Sequence, residues 1–186
     1  MSIEKEAKIL NINTGKVRHT LRRLGATHIG SYNFRRYVFD TIPAKKSSWL
    51  RLRTNGEVAT LAFKKIVDKS IDGTHEWEVE VSDFDATLAI LQGAGLLSKG
   101  YQENKREEYE IEGAYISIDT WPLLNPYIEI EAKSSTHVVE LAGRMGFSDH
   151  DLVGLNTIEL YKNIGIDLNR VDSLTFEGEN VHNAEK

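Results

Sequence analysis

A chain of 186 residues with 40% hydrophobic and 27% charged side chains is sized for one globular domain with or without a short tail, which excludes a repeat array and a disordered chain. No apolar run approaches the ~18 to 20 residues that span a bilayer, and Met1-Ser2-Ile3-Glu4-Lys5-Glu6 has no apolar signal-peptide core, so a soluble, cytoplasmic protein with no membrane partner is expected. The lack of cysteine excludes disulfides, thiolate zinc sites and cysteine nucleophiles, while a net charge of -5 argues against a general nucleic-acid coat but leaves room for a local basic pocket.

Ser2 to about Asn11 fits a helical stripe and a strand alternation equally well, so local pattern does not decide it. Asn13 or Thr14 then caps a helix whose apolar positions Val17, Leu21 and Leu24 recur at three- and four-residue spacing, with Gly25 as its stop. The aromatic and β-branched run Tyr32 to Asp40 reads as a strand, followed by a turn at Pro43 and a basic Lys45-Lys46 loop. Trp49 to Arg53 and Val58 to Val67 form a hairpin, because Asn55 and Gly56 both tolerate positive φ. Past a polar loop at 68–73, Glu76-Trp77-Glu78-Val79-Glu80-Val81 alternates cleanly between acid and apolar, as a strand requires.

Ser82 or Asp83 caps a second helix containing Leu88 and Leu91 that ends at Gly93 to Gly95. Strands Gln102 to Ile111 and Tyr115 to Trp121 turn at Gly113, and Pro122 to Pro126 leads into a strand from Tyr127 to Ala132. A helix from Thr136 to Met145 stops at Gly146, and a short one from Asn156 to Ile164 closes the fold. Beyond Leu168 the chain is polar, so 169–186 reads as a loose tail. This order suits an antiparallel α+β domain rather than a doubly wound one, and neither GxGxxG nor GxxxxGK[ST] occurs.

Ionisable side chains recur at two-residue spacing in Glu4-x-Glu6-x-Lys8, Arg51-x-Arg53, Glu76-x-Glu78-x-Glu80 and Glu129-x-Glu131, so each group shares one strand face. Two arrangements are compatible with this. Either the charged faces meet solvent, or the sheet curls with its charged face inward and its apolar face, including Leu50/Leu52, Trp77/Val79/Val81 and Ile128/Ile130, outward beneath helices. Sorting by sign favours the second, because neighbouring like charges are unfavourable unless something of opposite sign sits between them. A polyphosphate with divalent cations does so, since arginine and lysine bind phosphate oxygens and clustered carboxylates bind Mg²⁺ or Mn²⁺. The histidines at 19, 28, 75, 137, 150 and 182 show no ligand spacing, and Arg35-Arg36 and Lys45-Lys46 read as solvated, with one of them able to line the tunnel mouth.

Glu4-Lys5-Glu6-Ala7-Lys8 resembles the ExExK signature of the CYTH superfamily, the triphosphate tunnel metalloenzymes, which includes class IV adenylate cyclases, thiamine triphosphatases and inorganic triphosphatases. Leu50-Arg51-Leu52-Arg53, Leu61-Ala62-Phe63-Lys64, Glu76-Trp77-Glu78-Val79-Glu80, the Arg106 strand, Ile118-Asp119 and Tyr127-Ile128-Glu129-Ile130-Glu131 follow in the family's order. The resemblance implies that the first segment is a strand and that the fold is an eight-stranded antiparallel β-barrel, a tunnel with helices outside. It spans residue 3 to about 165, dividing the chain into a CYTH domain at 1–168 and a polar tail at 169–186.

It further implies that Arg51, Arg53, Lys64 and Arg106 bind phosphate, with Lys8 near the reacting phosphate; that Glu4, Glu6, Asp119, Glu129 and Glu131 bind Mg²⁺ or Mn²⁺; and that Glu76 and Glu78 are a further acidic pair. Lys8, Glu6 and Glu131 are the expected catalytic set. Where relatives carry Lys-x-Arg, this chain has Asn104-Lys105-Arg106, so one phosphate contact is expected to be missing. The implied activity is metal-dependent hydrolysis of a small-molecule triphosphate. The alternatives are a class IV adenylate cyclase, making cyclic AMP and pyrophosphate from ATP, and a non-catalytic binder of polyphosphate or nucleotide. A homodimer is the assembly that the resemblance suggests, and no nucleic-acid partner is expected.

Overall fold

A computed structural model describes residues 2–45, 47–67, 74–177 and 182–183. Its strands are β1 (Ser2–Glu4), β2 (Glu6–Ile9), β3 (Thr27–Lys45), β4 (Ser48–Thr54), β5 (Ala59–Ile66), β6 (Thr74–Val81), β7 (Ser98–Ile111), β8 (Ala114–Thr120), β9 (Tyr127–Glu131), β10 (Val171–Leu174) and β11 (His182–Asn183). The α-helices are α1 (Thr14–Leu24), α2 (Phe84–Gly93), α3 (Ser135–Arg144) and α4 (Thr157–Asn163).

The strands hydrogen-bond in the order β1-β6-β5-β4-β3-β7-β8-β9-β2. Every pairing along this path is antiparallel. The two ends of the path, β1 and β2, are separated in the chain by Lys5 alone, so the sheet curls back on itself. Counting β1 and β2 as one interrupted strand, eight strands enclose the interior, the α+β architecture implied by the sequence. At Lys8 the free edge of β2 is covered by Val153, which exchanges backbone hydrogen bonds with it in both directions at 2.9 Å.

Apolar residues on the outer faces of β2, β8 and β9, among them Ala7, Ile9, Ile116, Ile118, Ile128 and Ile130, pack against Val17 and Leu21 of α1 and Val138, Leu141 and Ala142 of α3. Asn13 caps α1 by accepting from the Lys16 amide, and Gly25 ends it at φ 83°, a left-handed conformation that only glycine adopts cheaply. Asp83 caps α2, whose Phe84 and Leu91 cover Phe39, Leu52 and Ala59 of β3, β4 and β5. The same alternation that buries these apolar residues turns their charged neighbours inward.

Three expectations need correction. β3 runs through Pro43 to Lys45, where a turn was expected at Pro43; its pairing to β4 shifts register between Asp40 and Lys45, which accommodates the missing proline donor. The outer face of β6 is not roofed: Trp77 and Val79 are 41% and 60% exposed, because α2 folds back over β4 and leaves β6 uncovered. Residues 169–177 are not a loose tail. β10 pairs in parallel with β7, and Val171 and Leu174 are buried with Trp121, Tyr127, Leu160, Tyr161 and Leu168. The rest of the expected tail lies outside the described residues apart from β11, which pairs with β10.

Candidate active site

The curled sheet encloses a cavity of about 530 Å³ lined by inward residues of β2 to β9 and by the loop and first turn leading into α4. β4 contributes Arg51 and Arg53, β5 Lys64, β6 Glu76 and Glu78, β7 Arg106, β9 Glu129 and Glu131, and β2 Glu6 and Lys8. Ten of the residues expected from the sequence therefore face one chamber. Glu4 ends β1, and its side chain lies outside the described residues.

On one side Lys8 is compensated twice, its Nζ lying 3.0 Å from Glu6 Oε1 and 2.9 Å from Glu129 Oε2. Burial alone would lower the Lys8 pKa; Glu129 and Glu6 outweigh it and hold the ammonium well above its ordinary value. Burial would raise Glu129, but Lys8 and Arg106 draw it far below the usual carboxylate range. Glu131 has the opposite balance, pushed up by partial desolvation and by the negative charges of Glu6 and Glu129. Glu6 and Glu131 are register partners on β2 and β9 and face the cavity together.

Arg106 clasps Asp119 with two bonds, Nε to Oδ1 at 2.9 Å and Nη2 to Oδ2 at 2.8 Å, and reaches Glu129 at 3.4 Å. Asp119 is fully buried and does not line the cavity; it also accepts from Ser117 Oγ at 2.8 Å and Asn104 Nδ2 at 3.2 Å. With both oxygens occupied in this way, Asp119 braces Arg106 from behind.

Across the chamber Arg51 Nη2 contacts Glu76 Oε1 at 3.0 Å and Glu78 Oε2 at 2.9 Å, and Lys64 lies 3.1 Å from Glu76 Oε2. Arg53 is less well matched, 3.7 Å from Glu78, with its guanidinium 4.7 Å over the Phe34 ring. Burial and the nearby Arg51 and Arg106 charges push Arg53 down to about 9, so it stays charged at neutral pH while gaining from an added anion.

Sequence reading missed Arg36. It is buried, lines the cavity, stacks 4.5 Å over Trp121 and donates through Nη2 to Asn104 Oδ1, so it is not solvated. In the doublet Arg35-Arg36 one arginine must face each side of β3, but the pair is charged at both positions and the pattern is silent on which. Arg35 takes the outer face, 4.7 Å over Phe84. Trp49, Tyr127 and Ser117 also line the chamber, and no period-two charge signal singles them out.

Glu6 and Glu131 suit a hard divalent cation, because Mg²⁺ is commonly held by one or two carboxylates and completes its shell with waters and phosphate oxygens. Among the described residues no three His, Asp or Glu side chains are grouped as a closed metal cage. The donor set thus fits an ion shared with a substrate.

A curled antiparallel sheet whose charged side chains turn inward frames one chamber lined by residues of both signs. The chain belongs to the CYTH domain family, whose profile matches residues 2–145. No curated protein matches it in sequence. Among solved structures, the PH1012 protein of Pyrococcus horikoshii OT3 superposes with a TM-score of 0.75 at 21% identity, covering 84% of this chain and 98% of that one. A putative adenylate cyclase from Vibrio parahaemolyticus gives a TM-score of 0.74 at 14% identity over 87% and 98% of the two chains. HpAC1 of Hippeastrum, a putative adenylyl cyclase described as having a dominant triphosphatase activity, gives 0.64 at 18% identity over 86% and 95%. No helix among the described residues is long and apolar enough to cross a membrane.

Proposed function

We propose that the protein is a divalent-metal-dependent hydrolase of a triphosphate. The observation that carries this reading is the confluence of Lys8, Arg51, Arg53, Lys64 and Arg106 on one chamber that also presents the Glu6–Glu131 pair. The arginine forks and lysines hold the phosphate chain by charge-assisted bonds, and the bracing of Arg106 by Asp119 fixes its direction before substrate arrives. Glu6 and Glu131 would hold the ion. When bound, a divalent ion neutralises charge on the phosphate oxygens as a Lewis acid. Lys8 orients the terminal phosphoryl group, and Glu131 accepts a proton from the attacking water. The water oxygen bonds to the terminal phosphorus as its bond to the bridging oxygen breaks, giving orthophosphate and, from tripolyphosphate, pyrophosphate. Positioning and electrostatics supply the catalysis.

A second reading, adenylate cyclisation, is favoured by one observation: Val38, Trp49 and Ile66 add an apolar and aromatic patch to the same chamber, where a base could stack. Incubating the protein with tripolyphosphate, ATP and thiamine triphosphate, each with Mg²⁺ or Mn²⁺, and resolving the products separates the two. Orthophosphate is the expected product; cyclic AMP with pyrophosphate from ATP would replace the hydrolase by the cyclase, and no product from any substrate would leave a binder.

A further inference from the structure

Of the cationic residues lining the chamber, Arg36 stands apart. Lys8, Arg51, Lys64 and Arg106 each lie within 3.1 Å of a carboxylate oxygen. Arg36 is only 8% exposed and makes no ion pair among the described residues; its Nη2 is held by the neutral amide of Asn104, and its Nε is buried with no hydrogen-bond partner. Its charged neighbours are Arg51, Arg53 and Arg106, all of its own sign, and they add to burial in driving its pKa well below the ordinary arginine value. A guanidinium keeps its proton in proteins, so the buried Arg36 charge is left without a counter-charge of its own. The indole beneath it offers a cation–π contact but no charge; Trp121 lines the same chamber, and its Nε1 is buried without a hydrogen-bond partner.

Asn104 explains why the arginine can be there. Its Oδ1 accepts from Arg36 and its Nδ2 donates to Asp119 Oδ1, so one amide ties Arg36 to the carboxylate that braces Arg106. A lysine at 104 would have no acceptor to offer Arg36 and would add a further cation beside it. Asn104 and Arg36 are thus complementary: the strand position that gives up a charge on β7 supplies the acceptor that fixes a charge from β3.

We infer that Arg36 is a phosphate-binding residue of this chamber, that it supplies from β3 the anion contact expected to be missing at Asn104, and that Asn104 is its positioning residue. The ligand is a phosphoryl group of a linear polyphosphate, met by the Arg36 guanidinium where it lines the chamber. This rests on the reading of the chamber as a triphosphate site.

Calorimetric titration of metal-free protein with tripolyphosphate tests it without relying on turnover. Arg36→Gln is expected to weaken the dissociation constant by about 10- to 100-fold, the scale of one hydrogen-bonded charge. In the same variant the melting temperature without ligand is expected to hold or rise, because a buried unpaired cation has been removed. Adding Asn104→Lys to Arg36→Gln returns a cation to the same place and is expected to recover binding, which a merely structural role for either residue would not produce. Unchanged tripolyphosphate affinity in Arg36→Gln would overturn the inference, as would absence of binding to the wild-type protein or failure of the double variant to recover. Should wild-type protein bind tripolyphosphate through Arg36 yet release no orthophosphate, the hydrolase reading would fall and this inference would stand.

Discussion

The two sides of the chamber handle charge differently. On the side of β2 and β9, Lys8 is met by two carboxylates within 3.0 Å, and the fold itself neutralises the ammonium. Toward β3 and β4, Arg51 is also paired twice, but among the described residues Arg53 has only a distant partner at 3.7 Å and Arg36 has none. An internally paired cation contributes to folding before any ligand arrives; an unpaired one costs stability until an anion arrives. The difference separates groups that shape the site from groups held in reserve for what binds there.

Breaking a buried ion pair should cost most. Arg106→Ala leaves Asp119 fully buried without its charge partner and is expected to destabilise the fold by about 3–5 kcal/mol, read from urea unfolding. If stability hardly changes, Asp119 is not dependent on Arg106. Lys8→Ala is expected to slow triphosphate hydrolysis by about 10²–10³-fold, as removal of a group that stabilises transition-state charge does; steady-state phosphate release is the assay, and full activity would remove Lys8 from the catalytic set.

Acid unfolding sharpens the same contrast. Glu129 has a folded pKa below its unfolded one, so its contribution is present above the unfolded carboxylate value of about 4.3 and is lost as pH falls toward the folded value. Lys8 has the opposite sign: raised in the fold, it contributes below its unfolded value and loses that contribution only as pH rises through the folded one. Urea midpoints of metal-free protein should therefore fall on acidification from pH 5, and fall less steeply in Lys8→Met, in which Glu129 has lost the first of its two cationic partners. Equal slopes would mean that Lys8 does not set the Glu129 titration.

The smallest effect is expected on the outside. Val79→Thr on the uncovered face of β6 should change stability by no more than about 0.5 kcal/mol. Ile130→Ala, beneath α3, should cost about 2–5 kcal/mol. Thermal melts of the two variants compare the bare and roofed faces directly.

What the sequence disclosed follows from periodicity. Glu76-x-Glu78 and Glu129-x-Glu131 project from single strand faces whatever the tertiary context, so which side chains share a face could be read in advance, while the inward direction of that face rested on the sorting of sign and on the family resemblance. Arg36 could not, because its neighbour Arg35 is identical and only packing against Phe84 or Trp121 distinguishes them. The bracing role of Asp119 depends on Asn104 and Arg106 across the β7–β8 pairing, a non-local arrangement. Exposure of Trp77 and Val79 depends on where α2 lands, and β10 has two buried apolar residues in four, too short a pattern to announce a strand.

The central claim is that the chamber's two charge sets act together on a triphosphate. Orthophosphate release from tripolyphosphate, measured with Mg²⁺ or Mn²⁺ and after chelation, for wild-type protein and Glu131→Gln, tests it most directly. Metal-dependent release that chelation abolishes and Glu131→Gln loses is the predicted result; release indifferent to metal and to Glu131, or none from wild-type protein with either ion, would contradict it.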